Sequence, residues 1–212
     1  MAKHYKDVFK YWMLEEIPLD DLGIPILFPA VDLPKKVISF NYVNSSLKKA
    51  DFNPKDYYVH FYIDDYQFER VWFNPLAYVE VFKRFGGIIM PDYSIYDDLP
   101  LVVQQYNLYR SRLLAAYYQK QGIDVIANVT WSDETSLDWS LSGLPNNATI
   151  ALSTNGCLNK DVKTKFLTIY DKVIKMLNPS NVILVGSLPN ELSGDNRIIH
   201  FNSHIERFNG GD

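Results

Sequence analysis

Several apolar runs of this sequence end in carboxylates. Aspartates follow three such runs in a row: Asp64 and Asp65 after VHFYI, Asp92 after IIMP, and Asp133 shortly after DVIANV. Short apolar runs rich in Val and Ile are typical of buried strands. In a sheet of parallel strands, the carboxyl ends of the strands meet at one rim, where ligands bind. We therefore expect these four aspartates to be the catalytic candidates of one rim.

A rim of carboxylates suits two kinds of chemistry. Carboxylate oxygens bind Mg²⁺ or Mn²⁺, and the expected metal ligands are Asp65, Asp92 and Asp133. Such a metal would lower the pKa of a bound water for hydrolysis. Without a metal, a carboxyl group of raised pKa beside an ionised one supplies a general acid and a base. The sequence fixes no cofactor, and Mg²⁺ and Mn²⁺ are the candidates.

The same aspartates are also explained without any ligand. Aspartate after a strand commonly caps the next helix or forms an Asx turn. Adjacent residues of a strand point to opposite faces, so at most one of Asp64 and Asp65 belongs to a site. The sequence leaves open which of the two it is, and whether the set is a site or a series of caps.

Other polar and aromatic residues near these strand ends are candidates for ligand binding. They are Asn128 and Trp131 after one run, and Ser153, Asn155 and Gly156 after ATIAL. The stretch STNGC precedes a predicted helix, so its backbone N–H groups would suit an anion or a phosphate. A plain turn between strand and helix explains it as well, and Trp131 fits either a stacked ring or core packing.

Arg110, in the stretch NLYRSR, is the remaining candidate for ligand binding. A guanidinium group pairs well with a ligand carboxylate or phosphate. The alternative is an ion pair within the protein, with Asp97, Asp98 or Glu69 as the partner.

Thiol and zinc chemistry have little support in the sequence. Cys157 is the single cysteine, which fits a reducing compartment, and the four histidines are scattered: His4, His60, His200 and His204. No spacing among them is typical of a zinc site or of a paired Cys and His.

The elements that would position these residues alternate along the chain. Helices are predicted in the stretches NPLAYVEVFKRFGG, LPLVVQQYNLYRSRLLAAYYQKQG and NKDVKTKFLTIYDKVIKMLNP, and about seven apolar strands lie between or beside them. This pattern predicts an α/β fold with a parallel sheet. We prefer a small or incomplete β/α barrel to an open doubly wound sheet, and we expect residues 1–212 to form a single domain, with 1–30 as an N-terminal helix and connector.

The net charge and the hydropathy of the sequence argue against nucleic acid and membranes as partners. The net charge is −4, which makes nucleic acid an unlikely partner, and no apolar run approaches the ~18 residues of a membrane span. We expect a cytoplasmic protein, in the host cytoplasm if a phage encodes it.

Five blocks of the sequence carry a family resemblance. VHFYIDDYQFERVW, MPDYSIYDDLPLVVQQYNLYRSR, QKQGIDVIANVTWSDE, LSTNGC and ILVGS resemble, in order, a family of bacterial, prophage and phage proteins catalogued only as a domain of unknown function. The resemblance runs from about Ile24 to about Phe201. Where the family typically has a block close to VIPNV, this chain has Ala127 in place of the proline. The resemblance implies a phage or mobile-element protein and brings no activity or catalytic residue.

Two functions are compatible with these observations. The first is a strand-end acidic ligand site for a small molecule or nucleotide, with metal-assisted hydrolysis of a phosphate ester as its most concrete form. The second is a non-enzymatic phage accessory protein that binds and modulates a host protein, with Tyr57, Tyr58, Tyr66 and Tyr96 as exposed contacts. The sequence does not decide whether the protein is an enzyme.

Overall fold

A computed structural model describes residues 7–156 and 160–203 of the chain. Seven strands form its centre: β1 Lys36–Ser39, β2 Tyr57–His60, β3 Gly87–Ile89, β4 Val125–Asn128, β5 Thr149–Ser153, β6 Asn181–Val185 and β7 Ile198–Phe201. The α-helices are α1 Val43–Ser46, α2 Asp65–Phe73, α3 Pro75–Phe82, α4 Leu101–Lys120, α5 Leu137–Ser140 and α6 Lys160–Leu177. Short 3-10 turns lie at Tyr11–Leu14, Phe40–Tyr42, Pro54–Asp56 and Asn190–Leu192.

The strands form one all-parallel sheet in the order of the sequence, from β1 to β7. Each strand pairs with the next one in the chain; Val59 of β2, for example, is in register with Ile88 of β3. A doubly wound sheet would reverse its order at a switch point, and no reversal occurs here. The prediction of an α/β fold with a barrel-like parallel sheet is confirmed: the sheet is nearly closed, and in the described residues β1 and β7 are its two edges.

The two faces of the sheet pack differently. One face carries the main core, in which strand residues such as Val59, Ile150 and Leu184 pack with the helices. The alternate residues, including Ile89, Ile126 and Ile183, form a smaller apolar cluster on the other face. Helices on one face and a compact cluster on the other are what a curved β/α barrel requires.

Helix α4 is the most deeply buried helix of the fold. Pro100 precedes it, and Gly122 follows it with a φ of 78° that suits glycine. Every residue from Ser111 to Tyr118 is buried, so the helix is enclosed on more than one side, as its broadly apolar sequence predicts. In the described residues no helix is long and apolar enough to cross a membrane.

Two parts of the predicted organisation differ from the structure. Among residues 7–30, the predicted N-terminal helix is reduced to the 3-10 turn Tyr11–Leu14, and the rest is connector. The segment after VHFYI, where no helix was predicted, is helix α2, because Phe68, Val71 and Trp72 fall at helical spacing and are buried.

The connector packs at the end of the barrel opposite the strand carboxyl termini. The backbone N–H groups of Val31 and Asp32 donate to the carboxylate of Asp124, just before β4, at 2.9 and 3.0 Å. Tyr58 donates its hydroxyl to the same carboxylate at 2.6 Å. The segment before β1 is thereby bound to the amino end of the sheet, opposite the strand carboxyl ends.

Candidate functional site

A cavity of about 860 Å³ lies at the carboxyl ends of the strands. Its lining draws on residues at or after the ends of six of the seven strands, β1 to β5 and β7: Ser39, His60, Asp92, Thr130, Ser153 and Ser203. Since the strand order follows the sequence, a single curved rim gathers side chains that are far apart in the chain. The volume is that of a small-molecule site.

Asp92, in the lining of this cavity, is the end of a chain of two hydrogen bonds. Tyr62 donates its hydroxyl to Oδ1 of Asn128 at 2.8 Å, and Nδ2 of Asn128 donates to Oδ1 of Asp92 at 2.6 Å. Asn128 ends strand β4 and is buried. Both ends of its amide are therefore engaged, and the amide fixes the position of the carboxyl group.

Burial, opposed by the hydrogen bond from Asn128 and assisted by the negative charge of Asp65, raises the pKa of the Asp92 carboxyl group to about 7. A carboxyl group with this pKa is present in both protonation states at neutral pH, so it can donate or accept a proton there. Burial also raises the pKa of Tyr62 well above its ordinary value. Tyr62 therefore stays a neutral donor in the chain of hydrogen bonds.

The two adjacent aspartates have separate surroundings. Asp64 lines the cavity and accepts one hydrogen bond from Nε2 of Gln67 at 3.3 Å. Asp65 is not among the cavity-lining residues; its carboxylate accepts from the backbone N–H and the hydroxyl of Ser94 at 3.0 and 2.9 Å. The first residue of α2 thus ties the helix to the loop after β3, and Asp64 is the member of the pair that faces the cavity.

Asp133 lies in a turn outside the cavity lining. Its Oδ1 accepts from the backbone N–H of Ser136 at 2.9 Å and from the hydroxyl of Thr135 at 2.8 Å. These hydrogen bonds, the hydroxyl of Thr135 first, lower the pKa of Asp133. Asp133 therefore holds the turn before α5, which is the local role without a ligand that was the alternative for this residue.

The predicted metal ligands do not form a metal site. Asp65 is committed to Ser94, Asp133 to its own turn, and only Asp92 lines the cavity. In residues 7–156 and 160–203 there is no group of three or more His, Cys, Asp or Glu side chains that could hold a metal ion. Asp65 and Asp133 accept hydrogen bonds from donors close to them in the fold. The spacing of the aspartates along the sequence did not reveal these donors.

The ligand-binding candidates divide between the cavity and its surroundings. Trp131, Ser153 and Asn155 line the cavity, and Asn155 donates Nδ2 to the carbonyl of Tyr62 at 3.3 Å. Gly156 is not in the lining. Cys157, which completes the stretch STNGC, lies outside the described residues, so the anion site predicted there is a prediction still.

Arg110 is placed away from the cavity. Its guanidinium donates to both oxygens of Glu69 at 2.7 and 2.9 Å and lies 3.8 Å from the ring centre of Tyr93. The side chain also reaches Asn107 at 2.8 Å. With these contacts it joins α2 to α4, as in the ion-pair alternative for Arg110, and it is not among the residues that line the cavity.

Several cavity residues were missed in the sequence. His60 and Tyr62 both line the cavity, with ring centres 5.5 Å apart and planes 28° from parallel. Gln67 and Asp97 line it as well. The spacing of His60 and Tyr62 was the available signal, since residues two apart in an extended segment face the same side.

A relative named Gene 1 protein from Mycobacterium phage D29 is 31% identical over 162 residues, which are 72% of this chain and 60% of the relative. Another Gene 1 protein, from Mycobacterium phage L5, is 36% identical over 104 residues, 49% of this chain and 45% of the relative. The chain thus spans about half of the length of these curated relatives. No solved structure matches it.

One family model matches residues 19–202, from the connector to the end of β7. This range contains the whole sheet, the described helices and every residue of the cavity described above except Ser203. The resemblance seen in the sequence blocks is confirmed, and the chain belongs to the family described as Domain of unknown function (DUF4417).

Proposed function

We propose that the cavity at the strand carboxyl ends binds a small polar molecule and that Asp92 exchanges a proton with it. The observation that carries this proposal is the position of Asp92: a half-buried carboxyl group with a pKa near 7, fixed by Asn128 and lining a cavity of about 860 Å³. A perturbed carboxyl group in a cleft is typical of acid–base catalysis.

The reaction class that these residues serve by themselves is proton transfer, including hydrolysis by general acid–base catalysis. Asp64, on the same lining, is the second carboxylate. In this proposal Asp92 acts as the acid or base, Tyr62 and Asn128 position it, and Asp64 orients the ligand or a water. Metal-assisted hydrolysis of a phosphate ester or nucleotide is the more specific form, and it requires the ligand to bring Mg²⁺ or Mn²⁺ to these two carboxylates.

The test begins with the protonation state of Asp92. We would label the aspartate carboxyl carbons with ¹³C and follow their NMR shifts from pH 4 to pH 9 in the wild type and in Asp92→Asn. A carboxyl signal that titrates near pH 7 and disappears in Asp92→Asn supports the proposal. Asp98→Asn is the matched control, because Asp98 is exposed and outside the lining. Titration of every aspartate near pH 4 would remove the basis of the proposal.

Binding is measured separately, by thermal unfolding with a panel of sugars, nucleosides, amines and nucleotides, each with and without Mg²⁺ or Mn²⁺. A ligand at a hundredfold excess over its Kd stabilises the folded state by about 2.7 kcal/mol. Stabilisation that Asp92→Asn weakens and Asp98→Asn retains supports a site in the cavity. Stabilisation only when metal and nucleotide are both present would select the metal-assisted form.

The second candidate function is binding of a host protein by a phage accessory protein. Two tyrosines favour it: Tyr66 is 78% exposed and Tyr96, on the cavity rim, is 64% exposed. Large exposed aromatic side chains are common anchors of interfaces. The other two tyrosines expected to be exposed are not, since Tyr58 is buried and Tyr57 is half-buried. Capture of a host protein that Tyr66→Ser and Tyr96→Ser abolish, with the folded state intact, would favour this function.

A further inference from the structure

The charges of the cavity restrict what can bind in it. Of the described residues that line it, three are aspartates and none is Lys or Arg: Asp64, Asp92 and Asp97. An anionic ligand would bring its charge against carboxylates, with no Lys or Arg side chain among the described lining residues to receive it. Protein sites for phosphate or carboxylate ligands normally supply arginine, lysine or a helix N-terminus.

Two cationic side chains, Lys165 and Arg110, are engaged in ion pairs within the protein. Lys165 pairs with Asp97 at 3.1 Å, which leaves Asp64 and Asp92 as the unneutralised charges of the lining. Arg110 is held by both oxygens of Glu69. In the part of the chain that the structure describes, neither Asp64 nor Asp92 makes an ion pair; each accepts a hydrogen bond from a neutral amide.

The shape of the lining adds a second, independent restriction. Five planar rings line the cavity, namely those of Tyr42, Tyr96 and Trp131 and the stacked pair of His60 and Tyr62. Trp131 is held in place by Phe166, with ring centres 5.5 Å apart. Aromatic faces attract both flat rings and cations, because the face of the ring is electron-rich.

We infer that the cavity selects a ligand with a planar, positively charged nitrogen group, such as an amidine, a guanidine or a protonated ring amine. This inference rests on the proposed function and specifies the ligand of the same site. The N–H groups of such a cation point outward in one plane, which suits a carboxylate such as Asp64 or Asp92. The aromatic side chains then hold the flat body of the ligand. A free phosphate ester is disfavoured by the same charges.

Three probes of equal shape and different charge test the inference: benzamidine with charge +1, benzamide with charge 0 and benzoate with charge −1. Their Kd values would be measured by saturation-transfer NMR titration at pH 8 and low ionic strength. We expect benzamidine to bind at least tenfold more tightly than benzoate, with benzamide between them, and we expect added salt to weaken benzamidine binding selectively.

Variants locate the effect in the cavity. Asp64→Asn and Asp92→Asn should each reduce the preference for benzamidine over benzamide severalfold, and Asp98→Asn should leave it unchanged, because Asp98 lies outside the lining. The thermal unfolding temperature of each variant shows whether it is folded. If one carboxylate variant fails to fold, the other still tests the inference, since the two carboxylates belong to different loops.

The outcomes separate the inference from the proposed function. Benzoate binding as tightly as benzamidine, or a preference that both carboxylate variants retain, would overturn the charge inference and leave a small-molecule cavity intact. Binding of none of the three probes would overturn the inference and count against a small-molecule site as well. The titration of Asp92 then stands as the separate test of its acid–base role.

Discussion

Ionisation of Asp92 lowers the stability of the folded protein, because its buried carboxylate has a raised pKa. Each unit of pKa shift corresponds to about 1.4 kcal/mol of difference between the two protonation states. The nearby charged or titratable groups that bear on it are Asp65, from the start of α2, and Tyr62, through Asn128. Because the cavity admits water, part of this penalty is screened. A residue retained under such a penalty is typical of a functional site.

The pH dependence of stability follows from this shift. An aspartate in the unfolded chain has a pKa of about 3.9, whereas Asp92 in the folded protein has a pKa of about 7. Between these values the folded protein holds a proton that the unfolded chain has lost, so the contribution of Asp92 to the free energy of unfolding is complete below pH 4 and declines up to about pH 7. In Asp92→Asn this decline should be absent.

Urea unfolding at pH 4.5, 6 and 8 measures this difference. We expect Asp92→Asn to gain about 1–3 kcal/mol over the wild type between the lowest and the highest pH. Asp98→Asn should run parallel to the wild type throughout. A constant difference between Asp92→Asn and wild type at all three pH values would contradict the raised pKa.

Removal of the carboxylate should destabilise the protein more at Asp133 than at Asp64. Asp133→Ala loses the two hydrogen bonds that hold the turn before α5, so we expect a loss of about 1 kcal/mol in the free energy of unfolding at pH 7. The lowered pKa of Asp133 means that its contribution to the free energy of unfolding is present above pH 4 and is lost as the pH falls below it.

Asp64→Ala, which removes one 3.3 Å contact, should change the free energy of unfolding by less than about 0.5 kcal/mol. Equal losses at both positions would make Asp64 a cap instead of a cavity residue.

At the scale of elements, helix α2 is connected to its surroundings from two sides. Asp65 joins its first turn to the loop after β3 through Ser94. Glu69, one turn later, joins it to α4 through Arg110, whose side chain is 12% exposed. Asp64 immediately precedes this helix. The hydrogen bonds of Asp65 and Glu69 therefore help to position the Asp64 carboxylate in the cavity lining.

Arg110→Lys tests the connection between α2 and α4. A lysine keeps the positive charge but loses the planar guanidinium group, which pairs with Glu69 through Nη1, donates to Asn107 through Nη2 and lies over the ring of Tyr93. We expect a loss of about 1–3 kcal/mol in chemical unfolding. Lys83→Ala, in the exposed pair with Glu80 on α3, is the comparison and should lose less than about 1 kcal/mol. Similar small losses in both variants would show that the ion pair of Arg110 with Glu69 contributes little to the free energy of unfolding.

The strands and long helices were predictable because their signals are local. Parallel strands buried on both faces are apolar runs, and α4 has Pro100 before it and Gly122 after it in the sequence. Helix α2 was not predicted, because its charged residues Glu69 and Arg70 obscure an apolar spacing that only Phe68, Val71 and Trp72 carry. The choice of barrel over doubly wound sheet depended on the number of strands, and the sequential strand order confirms it.

The site was predicted only in part, for a different reason. Strand ends identified the rim and with it Asp92, Asn128 and Trp131. The sequence contains no sign that Asp65 would turn to Ser94 or Asp133 to Ser136, since a carboxylate takes whichever donor the folded chain brings near. The participation of Tyr62 depends on a hydrogen bond across 66 positions of the chain.

At the scale of the whole molecule, one apolar core joins the elements of the chain. Its buried residues run from Met13, in the N-terminal 3-10 turn, to Leu192, after β6. That residues 1–212 form a single domain is a prediction, and unfolding tests it. We expect one transition in urea, with the same midpoint by far-ultraviolet circular dichroism and by tryptophan fluorescence. Two separated midpoints would show that the chain contains more than one independently unfolding unit.

The sequential strand order also bears on how the chain assembles as it is synthesised. Every strand pairs with the strand made just before it, and the longest step between paired residues, from Ile88 to Val125, spans fewer than about 40 positions. A strand that leaves the ribosome therefore finds its partner already available and does not wait for a distant part of the chain. The cavity is completed last, when Ser203, after β7, reaches the rim that Ser39 began.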